Sequence, residues 1–310
     1  MMTENRGHNE RGALIAAMGA VLLWSTVAAG FKLGLKLLEP LQLLLLGTAV
    51  SAAFFAAAAT ARGAWRLDRQ AAGTGLLFGL INPLLYYLVL FEAYDRLPAQ
   101  IAQPLNYTWA ITLALLAVPL LRQPLSQRML VGIGISYSGV LILLTQGSLH
   151  GLGEVDWLGV VLALGSTVLW AGYWLMNARS SEPALSLMAW SFCLALPLVS
   201  LACHLGPGWP ELSWPAVGFG LWVGLVEMGI TFLLWQRALR LTNHAAGIGQ
   251  LIFLSPFLSL ILIGSLVGET IHWTSVAGLA VMVAGLLITR RSAPAEPVVQ
   301  GPQRTRTHDR

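Results

Sequence analysis

Charge is scarce in this chain. Asp, Glu, Lys and Arg supply only 10% of its 310 residues, against roughly 25% in soluble domains. Too few charged groups remain to cover a surface that faces water. Cysteine is nearly absent: Cys193 and Cys203 share one apolar stretch, which excludes a disulfide framework and suits small buried hydrophobes. His8, His150, His204, His244, His272 and His308 are scattered through tails and the ends of apolar runs. With no H-E-x-x-H pair among them, neither a metal nor another cofactor is expected. There is no G-x-x-x-x-G-K-[ST] phosphate loop and no G-x-S-x-G elbow, so the chain does not read as an ATPase or as an enzyme of another kind. The net charge is +4, but the arginines stand singly rather than on one basic face, which argues against nucleic acid as a partner. The first ten residues also lack the basic-then-apolar design of a cleaved signal.

Apolar sequence is what the chain has in abundance. It is 56% hydrophobic, with mean hydropathy +0.70. A spanning helix needs about 20 mainly apolar residues. Such runs fall at 12–35, 40–61, 70–93, 98–121, 127–146, 156–178, 184–204, 214–238, 244–267 and 272–289. Pro40, Pro98, Pro124, Pro183 and Pro215 sit at or near their starts, where a missing amide proton costs little. Ten spans place both termini on one side of a lipid bilayer. The loops on that side hold fifteen of the eighteen Lys and Arg residues, and the other side only Lys32, Lys36 and Arg96. That bias makes the termini cytoplasmic.

Shifted by 146 residues, the chain matches itself. Gly19, Leu23 and Trp24 fall on Gly165, Leu169 and Trp170; Gly132, Gly139 and Leu141 fall on Gly278, Gly285 and Leu287; Gln123 falls on Glu269. Five spans in each half force the second half to enter the membrane the other way up. Inverted repeats of this kind recur in transporters, with the substrate site near the midplane. The expected fold class is therefore all-α integral membrane, ten transmembrane helices as two inverted five-helix repeats. The divisions expected are a tail over 1–11, repeats over 12–146 and 156–290, an external linker over 147–155, and a disordered tail over 291–310 that is rich in Pro, Arg and Gln. Gly30 with Gly34, Gly75 with Gly79, and Gly220 with Gly224 form small-xxx-small pairs, read as positions of close helix packing.

Polar groups at mid-membrane are costly unless they face the protein interior or water. Those expected there are Trp24 and Ser25 on the first span, Asn82, Tyr86 and Tyr87 on the third, and Gln103, Asn106, Tyr107 and Trp109 on the fourth. Trp170 and Tyr173 come from the sixth, Glu227 from the eighth and Gln250 from the ninth. Amide and hydroxyl groups replace the water of an ammonium and a carboxylate, and aromatic faces take an apolar side chain or a cation. Each residue also has a bland reading, as an anchor or a packing group. Trp65, Trp157, Trp214 and Trp273 read as interfacial anchors. Glu227 is the sharpest residue, the one acid at the centre of a span; it could bind an ammonium, carry a coupling proton or be a satisfied structural acid. Lys32, near the outer end of the first span, either snorkels or pairs with an anionic substrate group.

The ten spans, the paired halves, Trp24 and Trp170, and the closing stretch from Pro256 through Gly268-Glu269 and Gly278 to Gly285 resemble the drug/metabolite transporter superfamily, EamA type. Asn106-Tyr107-Thr108-Trp109 followed by Leu113, and Leu23-Trp24-Ser25-Thr26, are similar to the YddG-like amino-acid exporters. The resemblance implies a basket-like fold that opens to each side in turn, export of aromatic and other small amino acids from a bacterial inner membrane, and a cavity lined by Trp109, Tyr107 and Trp170. The chain departs from that pattern at Ala110, where proline is common, and at Arg122-Gln123, where the second half has Gly-Glu. The expected partners are a small-molecule substrate and the bilayer. The oligomeric state is left open, with a monomer as one option. Two rival readings stay open: an exporter of lipophilic cations, and a membrane scaffold that transports nothing.

Overall fold

Ten apolar helices account for most of the computed structural model, which describes residues 9–121, 126–146, 148, 153, 155–242 and 245–290. They are α1 (Glu10–Gly34), α2 (Pro40–Ala61), α3 (Arg69–Arg96), α4 (Ala99–Leu120), α5 (Gln127–Leu144), α6 (Trp157–Asn177), α7 (Ala184–Leu205), α8 (Trp214–Leu241), α9 (Gly247–Val267) and α10 (Trp273–Thr289). The first nine are long and apolar enough to cross a membrane, and α10 is a shorter apolar helix. There is no strand among the described residues. Most of the expected terminal tails and of the 147–155 linker lies outside the described residues, as do Arg122, Gln123 and Pro124.

Local chemistry sets the helix ends. Asn9, Asp68, Ser126, Asp156 and Ser213 each accept a hydrogen bond from a first-turn amide, which satisfies donors that a helix start leaves open. Glu39 and Gln42 form a capping box ahead of Pro40. Trp157, Trp214 and Trp273 stand exposed at helix starts, as anchors should. Both cysteines are free, Cys203 buried and Cys193 half-buried.

The two halves meet along seams of small residues. Helix α5 packs on α10, α2 on α7, α1 on α8 and α3 on α6. In the α5–α10 seam a Cβ added to Gly139 would lie 2.5 Å from the Gly278 carbonyl oxygen, and one on Gly278 would lie 2.6 Å from that of Gly139. Gly132 and Gly285 face each other in the same reciprocal way, at 2.7 and 2.5 Å. These are the glycines that the 146-residue shift superposes, so the pseudo-twofold axis runs through this seam. The six glycines of the small-xxx-small pairs also sit against neighbouring helices: Gly30 on Trp222, Gly34 on Leu43, Gly75 on Trp190, Gly79 on Ser191, Gly220 on Leu46 and Gly224 on Val50.

Five of the ten helices are irregular: α1 breaks at Thr26 between Glu10–Ser25 and Val27–Gly34, α9 ends in a π segment, Ile263–Val267, and the remaining irregularities are paired. A π-helical segment, Leu80–Leu85, interrupts α3 at Pro83, with Asn82 in non-helical backbone. Its counterpart in α8 is the π segment Val223–Ile230, which contains Glu227. In the other pair, α4 breaks at Thr108 between Ala99–Tyr107 and Trp109–Leu121, and α9 passes through a 3-10 turn at Leu251–Leu254. Residues 108 and 254 are again 146 apart. Irregular backbone at membrane depth is tolerated where protein buries it or where it lines a cavity. The repeat therefore brings broken segments of both halves to the middle of the molecule.

Candidate functional site

The π segment of α8 carries Glu227 inward, where it is only 7% exposed. Tyr87, at the end of the matching irregular segment of α3, donates its hydroxyl to Glu227 Oε1 at 3.1 Å. The Trp24 indole lies against the same carboxyl, while Oε2 has no hydrogen-bond partner. A buried acceptor left unpaired costs about 1–3 kcal/mol, so the chain carries this oxygen at a loss unless a ligand meets it.

Aromatic rings from both halves surround that carboxyl. Trp170 stacks on Tyr86 at 4.6 Å and on Tyr173 at 5.7 Å, with interplanar angles of 26° and 19°. Phe232 meets Trp170 edge-on at 5.8 Å and Trp24 at 5.9 Å. Tyr86 and Tyr87 are themselves in edge contact at 4.8 Å. The rings of α1, α3, α6 and α8 thus form one continuous wall beside one carboxyl.

Polar groups continue the site along α4. Asn106 Nδ2 donates to Ser166 at 3.0 Å and approaches the Tyr86 hydroxyl at 3.4 Å. Tyr173 faces Asn82, and Tyr107 faces Ser255. Even so, Asn82 Oδ1, Gln103 Oε1 and Ser255 Oγ are buried and complete no hydrogen bond. Native interiors rarely leave such groups unmet, and here several lie on the helices that flank Glu227.

Of the residues expected from sequence, Trp24, Tyr86, Trp170, Tyr173 and Glu227 come together, with Asn82, Asn106, Tyr107 and Gln103 on the flanking segments. The structure places three others away from this cluster or with their polar atoms engaged. The Ser25 hydroxyl is spent on the Leu22 carbonyl of its own helix, at 2.6 Å. Trp109 packs on the main core beyond the break at Thr108 and stacks on none of the rings named above. Gln250 is exposed at the end of a short helical segment. The Lys32 ammonium is engaged within the protein: it donates to the Tyr94, Asp95 and Leu97 carbonyls at 2.7, 3.1 and 2.9 Å. Tyr87, read from sequence only as a neighbour of Tyr86 at similar depth, is the direct donor to Glu227.

The description "EamA-like transporter family" fits the chain twice, over residues 11–145 and 157–291. The chain belongs to the EamA-like transporter family. This EamA-like chain is therefore a multi-pass membrane transporter and not an enzyme, with five helices in each matched stretch. It is 27% identical over 262 residues to the aromatic amino acid exporter YddG of Ancylobacter novellus, covering 81% of this chain and 87% of that one. It is 28% identical over 257 residues to the inner membrane protein YtfF of Escherichia coli, covering 73% of this chain and 78% of that one. A solved crystal structure superposes with a TM-score of 0.62 at 23% identity, covering 91% of this chain and 99% of its own. That likeness supports the fold alone.

Proposed function

We propose that this transporter exports amino acids, aromatic and other small neutral ones, by alternating access through the site around Glu227. One observation carries the reading: a buried carboxyl with one oxygen unpaired, walled by aromatic rings from both halves. A zwitterion with an apolar side chain suits these groups. Its ammonium meets Glu227, its side chain meets the face of Trp170, and its carboxylate meets the amides of Asn82, Gln103 or Asn106. The printed name of the Ancylobacter relative supports the same substrate class. The count of cationic residues by loop supports cytoplasmic termini, and with them placement in a bacterial inner membrane.

The test is uptake of radiolabelled L-phenylalanine, L-tryptophan and L-alanine into liposomes that hold only this protein. Saturable uptake of at least one is expected. A folded, inserted protein that moves none of them removes the amino-acid reading. The same carboxyl and rings would also hold a lipophilic cation. Tetraphenylphosphonium uptake in parallel separates the two, because a cation exporter depends on the Glu227 charge more completely than a zwitterion exporter does.

A further inference from the structure

The turn between α3 and α4 is held by side chains at both of its ends. Lys32 spends its ammonium on the three carbonyls Tyr94, Asp95 and Leu97, where α3 finishes. An ammonium has three donors, so none remains for a ligand. On the far side of the turn, Glu269 accepts from the Ala99 and Gln100 amides at 2.7 and 3.2 Å, and so caps α4 with a negative charge at its positive end. The Gln100 side chain completes the bond set. It donates to the Thr270 carbonyl at 2.9 Å, and its oxygen accepts from the Ser275 hydroxyl at 2.7 Å and the His272 amide at 3.3 Å. Residues 269–275 belong to the second half and the turn to the first, so the bonds run between the halves. Both cavities described, one lined by Asn177 and Gln236 and the other by Gln70 and Arg179, lie toward the opposite end of the molecule.

The repeat supplies the comparison. The 146-residue shift takes Lys32 to Ala178, Gln100 to Ala246, Ser275 to Met129 and Glu269 to Gln123. No charged group of the set has a charged counterpart at the end that carries the termini. There the α8–α9 turn is tied to the start of α1, by Thr242 to Glu10 at 2.8 Å and by the Asn9 amide to the Leu241 carbonyl, and the halves are joined by other charged groups, Arg179 to the Leu120 carbonyl at 2.8 Å and Arg66 to Glu182 at 3.4 Å.

We propose that Lys32, Gln100 and Glu269 form a gate latch, which holds the end remote from the termini closed and must release before the central site opens there. All three are positioning residues. They act on the α3–α4 turn and not on the substrate. The proposal rests on alternating access, and the test keeps the two apart.

Ala102, fully buried on α4 behind the latch, is replaced by cysteine in a chain with Cys193→Ala and Cys203→Ala. Labelling by a membrane-impermeant maleimide is timed in oriented proteoliposomes, with and without saturating L-phenylalanine. In the otherwise native chain the labelling rate should change with substrate. A rate that ignores substrate sinks alternating access at this face, and the latch with it. With that response in place, Glu269→Ala should raise the rate on the order of tenfold, as expected for loss of a charged cap on two amides. Glu269→Gln, which copies the residue at position 123, should restore most of the protection. Lys32→Met gives an independent release of the other end of the turn if Glu269→Ala does not fold. Labelling as slow as in the native background, in folded Glu269→Ala or in folded Lys32→Met, overturns the latch.

Discussion

Replacing Glu227 by glutamine isolates the charge at the site with little change of shape. Tyr87 donates to Oε1 at 3.1 Å, and a glutamine carbonyl accepts that bond equally well. Oε2 has no protein partner to lose. The folded protein should therefore keep its thermal midpoint within about 2 °C, since no buried bond is broken. The substrate ammonium, by contrast, loses a charged partner and meets an amide donor. Hydrogen bonds to charged groups are worth about 1.5–3 kcal/mol, equivalent to roughly 10- to 150-fold in affinity. Radiolabelled L-phenylalanine uptake should fall by that factor, as a raised half-saturation concentration. Tyr87→Phe supplies the control, because it leaves the carboxyl in place and removes the hydroxyl that donates to it. Combining both changes should cost less than the sum of the two alone, as coupled neighbours do. Native uptake by a stable Glu227→Gln protein would mean that Glu227 is a structural acid, and the substrate would have to be held elsewhere.

Trp170→Ala removes the ring that stacks on Tyr86 and Tyr173. Uptake of aromatic amino acids should weaken roughly tenfold more than uptake of L-alanine, at about 0.5–1.5 kcal/mol per ring pair; equal losses for both would contradict a stacking role. Trp109→Ala should change uptake much less than Trp170→Ala, because Trp109 packs on the core beyond the break at Thr108 without stacking on the rings beside Glu227, and a larger effect in the same assay would place it in the site. Gly278→Val drives a side chain into the Gly139 carbonyl and should abolish folded yield in detergent chromatography. Gly172→Ala, where no atom lies within 4 Å of the added carbon, should elute as the native protein does.

The spans were legible because lipid leaves so little choice: each apolar run had to become a helix, and Pro40, Pro98 and Pro183 marked starts that the structure keeps. Glu227 was legible for the same reason, as an acid that had to face inward. Which of Tyr86 and Tyr87 meets Glu227 was not, because the two stand side by side and only the π segment before them decides which ring turns toward α8. An extra residue in a turn shifts every later side chain around the helix, and sequence spacing does not show it. The break at Thr108 does the same to Trp109. Lys32 and Glu269 escaped for another reason: their partners are backbone groups on segments distant in sequence, and a backbone carbonyl or amide leaves no mark in composition.

The reciprocal glycine contacts of α5 and α10 have a mechanical meaning. Sliding one helix past another needs side chains that can change rotamer and let ridges pass. Here the backbones meet at glycine, with no side chain between them to yield, and close-packed interiors have little compressibility. Such a joint resists translation and allows rotation. It works as a bearing, and any stroke of one half against the other has to turn about this line.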